Sequence, residues 1–167
     1  GKGLLFKIFA DIDVFDIEIG TKDIEEFIQT VKNIAPTFGG INLEDIKAPE
    51  SFEIERRLVE ELNIPVMHDD QHGTAIISSA ALLNALELAD KKAGDVKMVV
   101  SGAGSAALAC ADLYVLLGVK VENILMFNSK GVLTKDNSSL SLLQQKYAKD
   151  VKPMTLEEAL VGADIFL

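Results

Sequence analysis

Apolar and polar positions fall into two rhythms along the chain, and the change between them comes near its middle. In the first half, Leu4 to Ala10 is an apolar run interrupted only by Lys7 and the segment DVFDIEI (13–19) alternates, so two strands are predicted. Apolar residues then recur at helical spacing from about Lys22 to Ile34. Thr21 is the expected cap, and Asp23, Glu25 and Glu26 lie where the helix dipole favours anions. Pro36 ends that helix, and the short apolar segment INLEDI stops on two acids. Pro49 and Glu50 open a second predicted helix, which runs to about Leu62 and is closed by Pro65. IPVMH is a predicted buried strand leading into a polar turn, DDQHG.

From Thr74 to about Leu88 the pattern predicts a long helix rich in Ala and Leu, followed by the charged link ADKKAGD. After it the chain reads strand, glycine turn, helix, then a second strand ending in ILMFN. Helices are predicted over 139–148 and near 156–160, and ADIFL is a third strand. This alternation predicts an α/β protein with a doubly wound parallel sheet in the second half. Both ends fall inside apolar, strand-like runs, so the expectation is a portion of a longer protein.

Composition narrows the function by exclusion. A chain of 167 residues that is 49% hydrophobic can bury a core. A formal charge of −10 repels polyanions, which argues against nucleic acid as a partner. The single cysteine, Cys110, permits no intrachain disulfide and fits a reducing compartment. No apolar run is long enough to span a bilayer and no cleavable leader is visible, so a cytoplasmic protein without a membrane partner is expected.

Three groups of residues carry candidate chemistry. In VVSGAGSAA, the residues Gly102, Ala103, Gly104, Ser105 and Ala106 follow an apolar strand and open a helix, with Ala107 in the third small position. Gly102 permits the tight turn, Gly104 lets a pyrophosphate approach the backbone, and the helix start offers free N–H groups. The second strand ends in Asn128, Ser129 and Lys130, where folds that favour NAD carry an acid for the ribose 2′-hydroxyl. With no carboxylate to repel a 2′-phosphate and a lysine to attract one, NADP is expected ahead of NAD.

The remaining two groups are acidic. Glu44 and Asp45 end one apolar segment, and Asp69 and Asp70 follow another. Carboxylates at the ends of buried strands need a partner, and a hard divalent cation, Mg²⁺ or Mn²⁺, supplies one through oxygen ligands. Ordinary strand-end and helix-cap acids are the alternative. His68 and His72 have the spacing of a helical zinc pair, but Pro65 and Gly73 indicate strand and turn there, so zinc is not expected. Cys110 is expected in the core.

GGINLEDI, PESFEIERRL, IPVMHDDQHGTA and VVSGAGSAA, in this order and spacing, resemble the malic enzymes over essentially the whole chain, nearest the bacterial NADP-linked branch. The resemblance implies Glu44, Asp45 and Asp70 as metal ligands and Asp69 as the acid beside the catalytic lysine. The opening GKGLLFKIFADID aligns so that Lys2 is that lysine, a base whose pKa burial and the cation would depress. It further implies malate as substrate, a homo-oligomer of two or more subunits, and a metal- and malate-binding portion over 1–73 followed by a Rossmann-like portion over 74–167. The catalytic tyrosine, the substrate-binding arginine and the asparagines of the family fall outside these 167 residues. Asp11 stands where the family usually has glycine, Ser51 where cysteine is common, and Asn128 where many members have aspartate. A non-catalytic dinucleotide-binding module and a related metal-dependent hydroxy-acid decarboxylase remain as alternatives.

Overall fold

The computed structural model describes residues 1–167. Seven helices are present: α1 (Lys2–Ala10), α2 (Ile24–Ile34), α3 (Glu50–Glu61), α4 (Asp69–Leu88), α5 (Ser105–Leu116), α6 (Leu142–Gln145) and α7 (Leu156–Leu160). The strands are β1 (Ile41–Leu43), β2 (Val66–His68), β3 (Met98–Ser101), β4 (Ile124–Asn128), β5 (Gly131–Val132) and β6 (Ile165–Phe166).

β1 and β2 form a parallel pair with Leu43 opposite His68. The second sheet has the order β5-β4-β3-β6, in which β3, β4 and β6 are parallel and β5 is antiparallel to β4. The chain leaves β3 for β4 on one side and later returns to place β6 on the other. That reversal makes the carboxyl end of β3 a topological switch point, where doubly wound sheets bind ligands. Helices cover both faces. α4 and α5 pack on one through a cluster of 17 buried residues that includes Leu82, Leu86, Val100, Ala111 and Met126. α7 covers the other through Ala159 against Val99, Phe127 and Val132. The expected architecture is therefore present.

The first half departs from the expected secondary structure in three segments, and the cap of one helix also differs. Leu4 to Ala10 is helical, because an apolar run of this length fits either state and only packing arbitrates. α1 ends at Asp11, which takes the left-handed conformation (φ 52°) and donates its N–H to the Lys7 carbonyl, while the Ile12 N–H donates to that of Phe6. Glycine adopts that conformation without strain, and aspartate is one of the few other residues that visit it. DVFDIEI has no strand partner and stays irregular. α2 is capped by Asp23, whose Oδ1 accepts from the Glu26 N–H at 2.9 Å, with Thr21 bracing Asp23 from outside.

The third departure matters most for the site. The predicted polar turn DDQHG is the first turn of α4, which starts at Asp69 directly after β2. The boundary expected between residues 73 and 74 thus falls inside a continuous helix. α4 begins beside the β1–β2 pair and ends in the core of the second sheet.

Candidate functional site

Parallel pairing of β1 with β2 brings both acidic groups to one edge, since Glu44–Asp45 and Asp69–Asp70 each follow the carboxyl end of a neighbouring strand. Lys2 reaches this edge from α1. Its Nζ donates to both Glu44 oxygens, at 2.7 and 2.6 Å, and to Asp69 Oδ2. Asn42 adds a 2.9 Å bond from its Nδ2 to Glu44 Oε2. Asp45 is left-handed (φ 55°), and its N–H donates to Asp70 Oδ2 at 3.0 Å.

These contacts act on Lys2: donation to Asp69, and next to Glu44, pushes its pKa up to about 12 against the smaller effect of burial. A lysine raised on folding contributes stability below pH 10.5 that is lost as pH climbs through about 12, so the ammonium is intact at neutral pH.

Lys2 thus joins Glu44 and Asp69, while Asp45 and Asp70 are joined through the backbone. No three His, Cys, Asp or Glu side chains converge on one point as a finished metal cage. The donor chemistry nevertheless fits a hard cation, being carboxylate oxygen throughout. Four acids share one edge with a single lysine, and like charges so placed call for further positive charge. His68 adds to this. It is fully buried, neither ring nitrogen has a partner, and Nε2 lies 3.8 Å from Asp70 Oδ2.

Two residues that sequence reasoning missed hold the acids in place. Glu55, buried on α3, accepts from the His68 N–H at 2.8 Å and pairs its other oxygen with His72 Nε2 at 2.9 Å. One carboxylate therefore clamps both sides of Asp69–Asp70. The available signal was a charged residue on the inward stripe of α3 with Ser51, Ile54 and Leu58. Gly73 is the second. A Cβ there would sit 2.2 Å from Asp69 Oδ1, so only glycine lets that carboxylate fold back over its own helix. A glycine within a helix costs about 1 kcal/mol relative to alanine, and this clearance is the reason for it. Cys110 is buried and free and accepts a bond from Ser78 Oγ at 3.3 Å, as a core residue would.

At the other edge, β3 runs into Gly102, whose φ of +135° favours glycine, and its N–H donates to the Phe127 carbonyl at 3.0 Å. Gly104 has ordinary dihedrals (φ −85°), and no atom lies within 4 Å of where its Cβ would be. No backbone requirement explains this glycine; an open approach to the turn does. α5 then starts at Ser105 with no side-chain cap, and it has no acid in its first turn, whereas α2, α3 and α4 each carry two. Its positive end and free N–H groups stay open to an anion. Ala103 and Ala106 leave that opening uncharged. Asn128 ends β4 beside the same turn; its Oδ1 accepts from the Lys130 N–H at 2.8 Å, while Ser129 and Lys130 are exposed.

Comparisons with known proteins match this chain along its length. The family described as "Malic enzyme, NAD binding domain" matches residues 71–163, and "Malic enzyme, N-terminal domain" matches 20–59. An NADP-dependent malic enzyme of Salmonella typhimurium is 57% identical over all of this chain and 22% of its own length. An NAD-dependent malic enzyme of Rhizobium meliloti is 52% identical, again over the whole chain and 22% of the relative. Among solved structures, the NAD-dependent malic enzyme of Thermotoga maritima superposes with a TM-score of 0.91 at 45% identity, covering 99% of this chain and 45% of that one. The chain thus spans about a fifth of the length of the two curated relatives.

Proposed function

This chain belongs to the malic enzyme family, and from that premise we propose that it supplies the acidic edge and the dinucleotide turn of an enzyme that oxidatively decarboxylates malate to pyruvate and carbon dioxide. Residues 1–73 carry the metal and malate edge, and 74–167 carry the dinucleotide portion. The observation behind the proposal is the convergence of Lys2, Glu44 and Asp69, with Asp45 and Asp70 beside them, at the ends of two paired strands.

Glu44, Asp45 and Asp70 would hold Mg²⁺ or Mn²⁺. When bound, the cation draws electron density from the C2 oxygen of malate while the dinucleotide accepts the C2 hydride. Lys2 Nζ is the group placed to take the C2 hydroxyl proton. It carries a proton while Glu44 and Asp69 both hold it, so its use as a base requires Glu44 to release it and the ammonium to lose that proton to solvent first. Service as a metal ligand makes that demand of Glu44. Asp69 stays on Nζ and orients it. At the turn, Gly104 and the start of α5 receive the pyrophosphate. Asn128 in place of an acid, with Lys130 exposed beside it, favours NADP over NAD.

The exposed apolar residues of α1 and the following segment, among them Leu5, Phe9 and Phe15, support coverage by further protein, as a homo-oligomer would provide. No helix is long and apolar enough to cross a membrane, and a cytoplasmic setting is part of the proposal. The deciding experiment follows absorbance at the reduced-nicotinamide band, using the intact protein with malate, NADP or NAD, and Mn²⁺. A chelator control and a pyruvate assay accompany it. Metal-dependent reduction matched by pyruvate is expected; no reduction by the intact protein removes the proposal.

A further inference from the structure

The glycine turn is held from a second direction. Gln144 on α6 donates from Nε2 to the Ala103 carbonyl at 3.0 Å. The other end of the same amide is committed to its own helix: Oε1 accepts from the Ser141 N–H at 3.1 Å, and the Gln144 N–H donates to Ser141 Oγ at 3.3 Å. α6 is itself anchored, because Leu140, Tyr147 and Ala148 lie in the main core and the Tyr147 hydroxyl donates to Asp112 on α5. The amide that reaches Ala103 is therefore fixed at both ends.

A trans peptide is planar, with its C=O and N–H pointing in opposite directions. Turning the Ala103 carbonyl toward α6 turns the Gly104 N–H away from it. That N–H has no acceptor within the protein. The 103–104 plane turns on Ala103 ψ and Gly104 φ, and glycine at 104 leaves the second of these little restrained unless something holds the plane.

We propose that Gln144 is a positioning residue of the dinucleotide site, fixing the Ala103–Gly104 peptide plane so that the Gly104 N–H faces the pyrophosphate. This rests on the dinucleotide function proposed above. It also assigns a role to α6, which neither acidic edge nor glycine turn requires.

The test titrates NADPH and NADH into the intact protein by nucleotide fluorescence, with Gln144→Glu, Gln144→Met and Ser141→Ala as variants. Glutamate keeps the cap of α6 and loses the donor, methionine loses both, and Ser141→Ala keeps the donor. Losing one hydrogen bond that orders a binding loop is expected to raise Kd about three- to tenfold in both Gln144 variants. KM for the dinucleotide should rise in parallel while KM for malate holds, and Gln144→Glu should melt with the parent protein. Ser141→Ala should bind as the parent does. Weakening in Gln144→Glu alone would mean charge repulsion and overturn the proposal. Equal weakening in Ser141→Ala, or none in any variant, would reduce Gln144 to a helix cap. A parent protein that binds neither nucleotide would overturn the dinucleotide function itself, and that result is read without any variant.

Discussion

The two halves of the molecule are held together differently. The sheet of β3, β4 and β6 rests on 17 buried residues in one cluster, most of them aliphatic, alanine or methionine. The β1–β2 half has a buried cluster of five, Ile28, Val31, Leu43, Ile54 and Leu58. Around that small core sit Lys2, Glu44, Asp45, Glu55, His68, Asp69 and Asp70, tied by charge-assisted bonds. One half is ordered by apolar burial, which is strong and indifferent to detail; the other by polar bonds, which are directional and fail singly. Truncations of the apolar core in the first should therefore cost stability, whereas changes in the second should cost activity, with stability lost only where a buried polar group is left unpaired.

The largest expected effect is in the nucleotide half. Ile124→Ala, at a fully buried position of β4, should lose about 2–5 kcal/mol in denaturant unfolding. A smaller loss would mean that the core repacks and the contrast is overstated. Asp70→Asn should change the melting temperature little, raise the Mn²⁺ requirement and lower turnover about a hundredfold. An unchanged metal titration would take Asp70 out of the ligand set.

Glu55→Ala tests the clamp. Leaving the buried His68 N–H without its acceptor should cost about 1–3 kcal/mol of stability, with Glu55→Gln recovering most of it because an amide oxygen still accepts. Gly73→Ala separates the two currencies most cleanly. Helix propensity should stabilise the protein by up to about 1 kcal/mol, while the new Cβ displaces the Asp69 carboxylate and turnover falls about tenfold. Parallel changes in stability and activity would argue against a separate positioning role. The smallest effect is at Asn128→Asp, where the NADP-to-NAD preference should move toward NAD by about fivefold, and a constant ratio would remove that turn from cofactor choice.

Legibility in the sequence followed the same division. The order strand, glycine turn, helix, strand was readable because apolar period and glycine placement are local and the core they feed is large. α1 was misread as a strand because none of its residues is buried, so its apolar run carries no face. DDQHG was misread as a turn because Gly73 is a poor helix former, and its reason lies in the Asp69 side chain rather than in the neighbouring sequence. Glu55 left a faint trace as a charge on an apolar stripe. Gln144 announced only its helix cap, since nothing local points to Ala103.

The sequence by itself determined which residues can do chemistry and which segments form the sheet of the second half, since residue type and periodicity are properties of the chain alone. Tertiary structure decided what those residues meet. It paired β1 with β2, set Lys2 between Glu44 and Asp69 so that the lysine is held protonated, and put Gln144 against the glycine turn. Those outcomes join residues about 25 to 70 positions apart. Hydrogen bonds and ion pairs act over a few ångströms of space, so only the folded chain could bring them about.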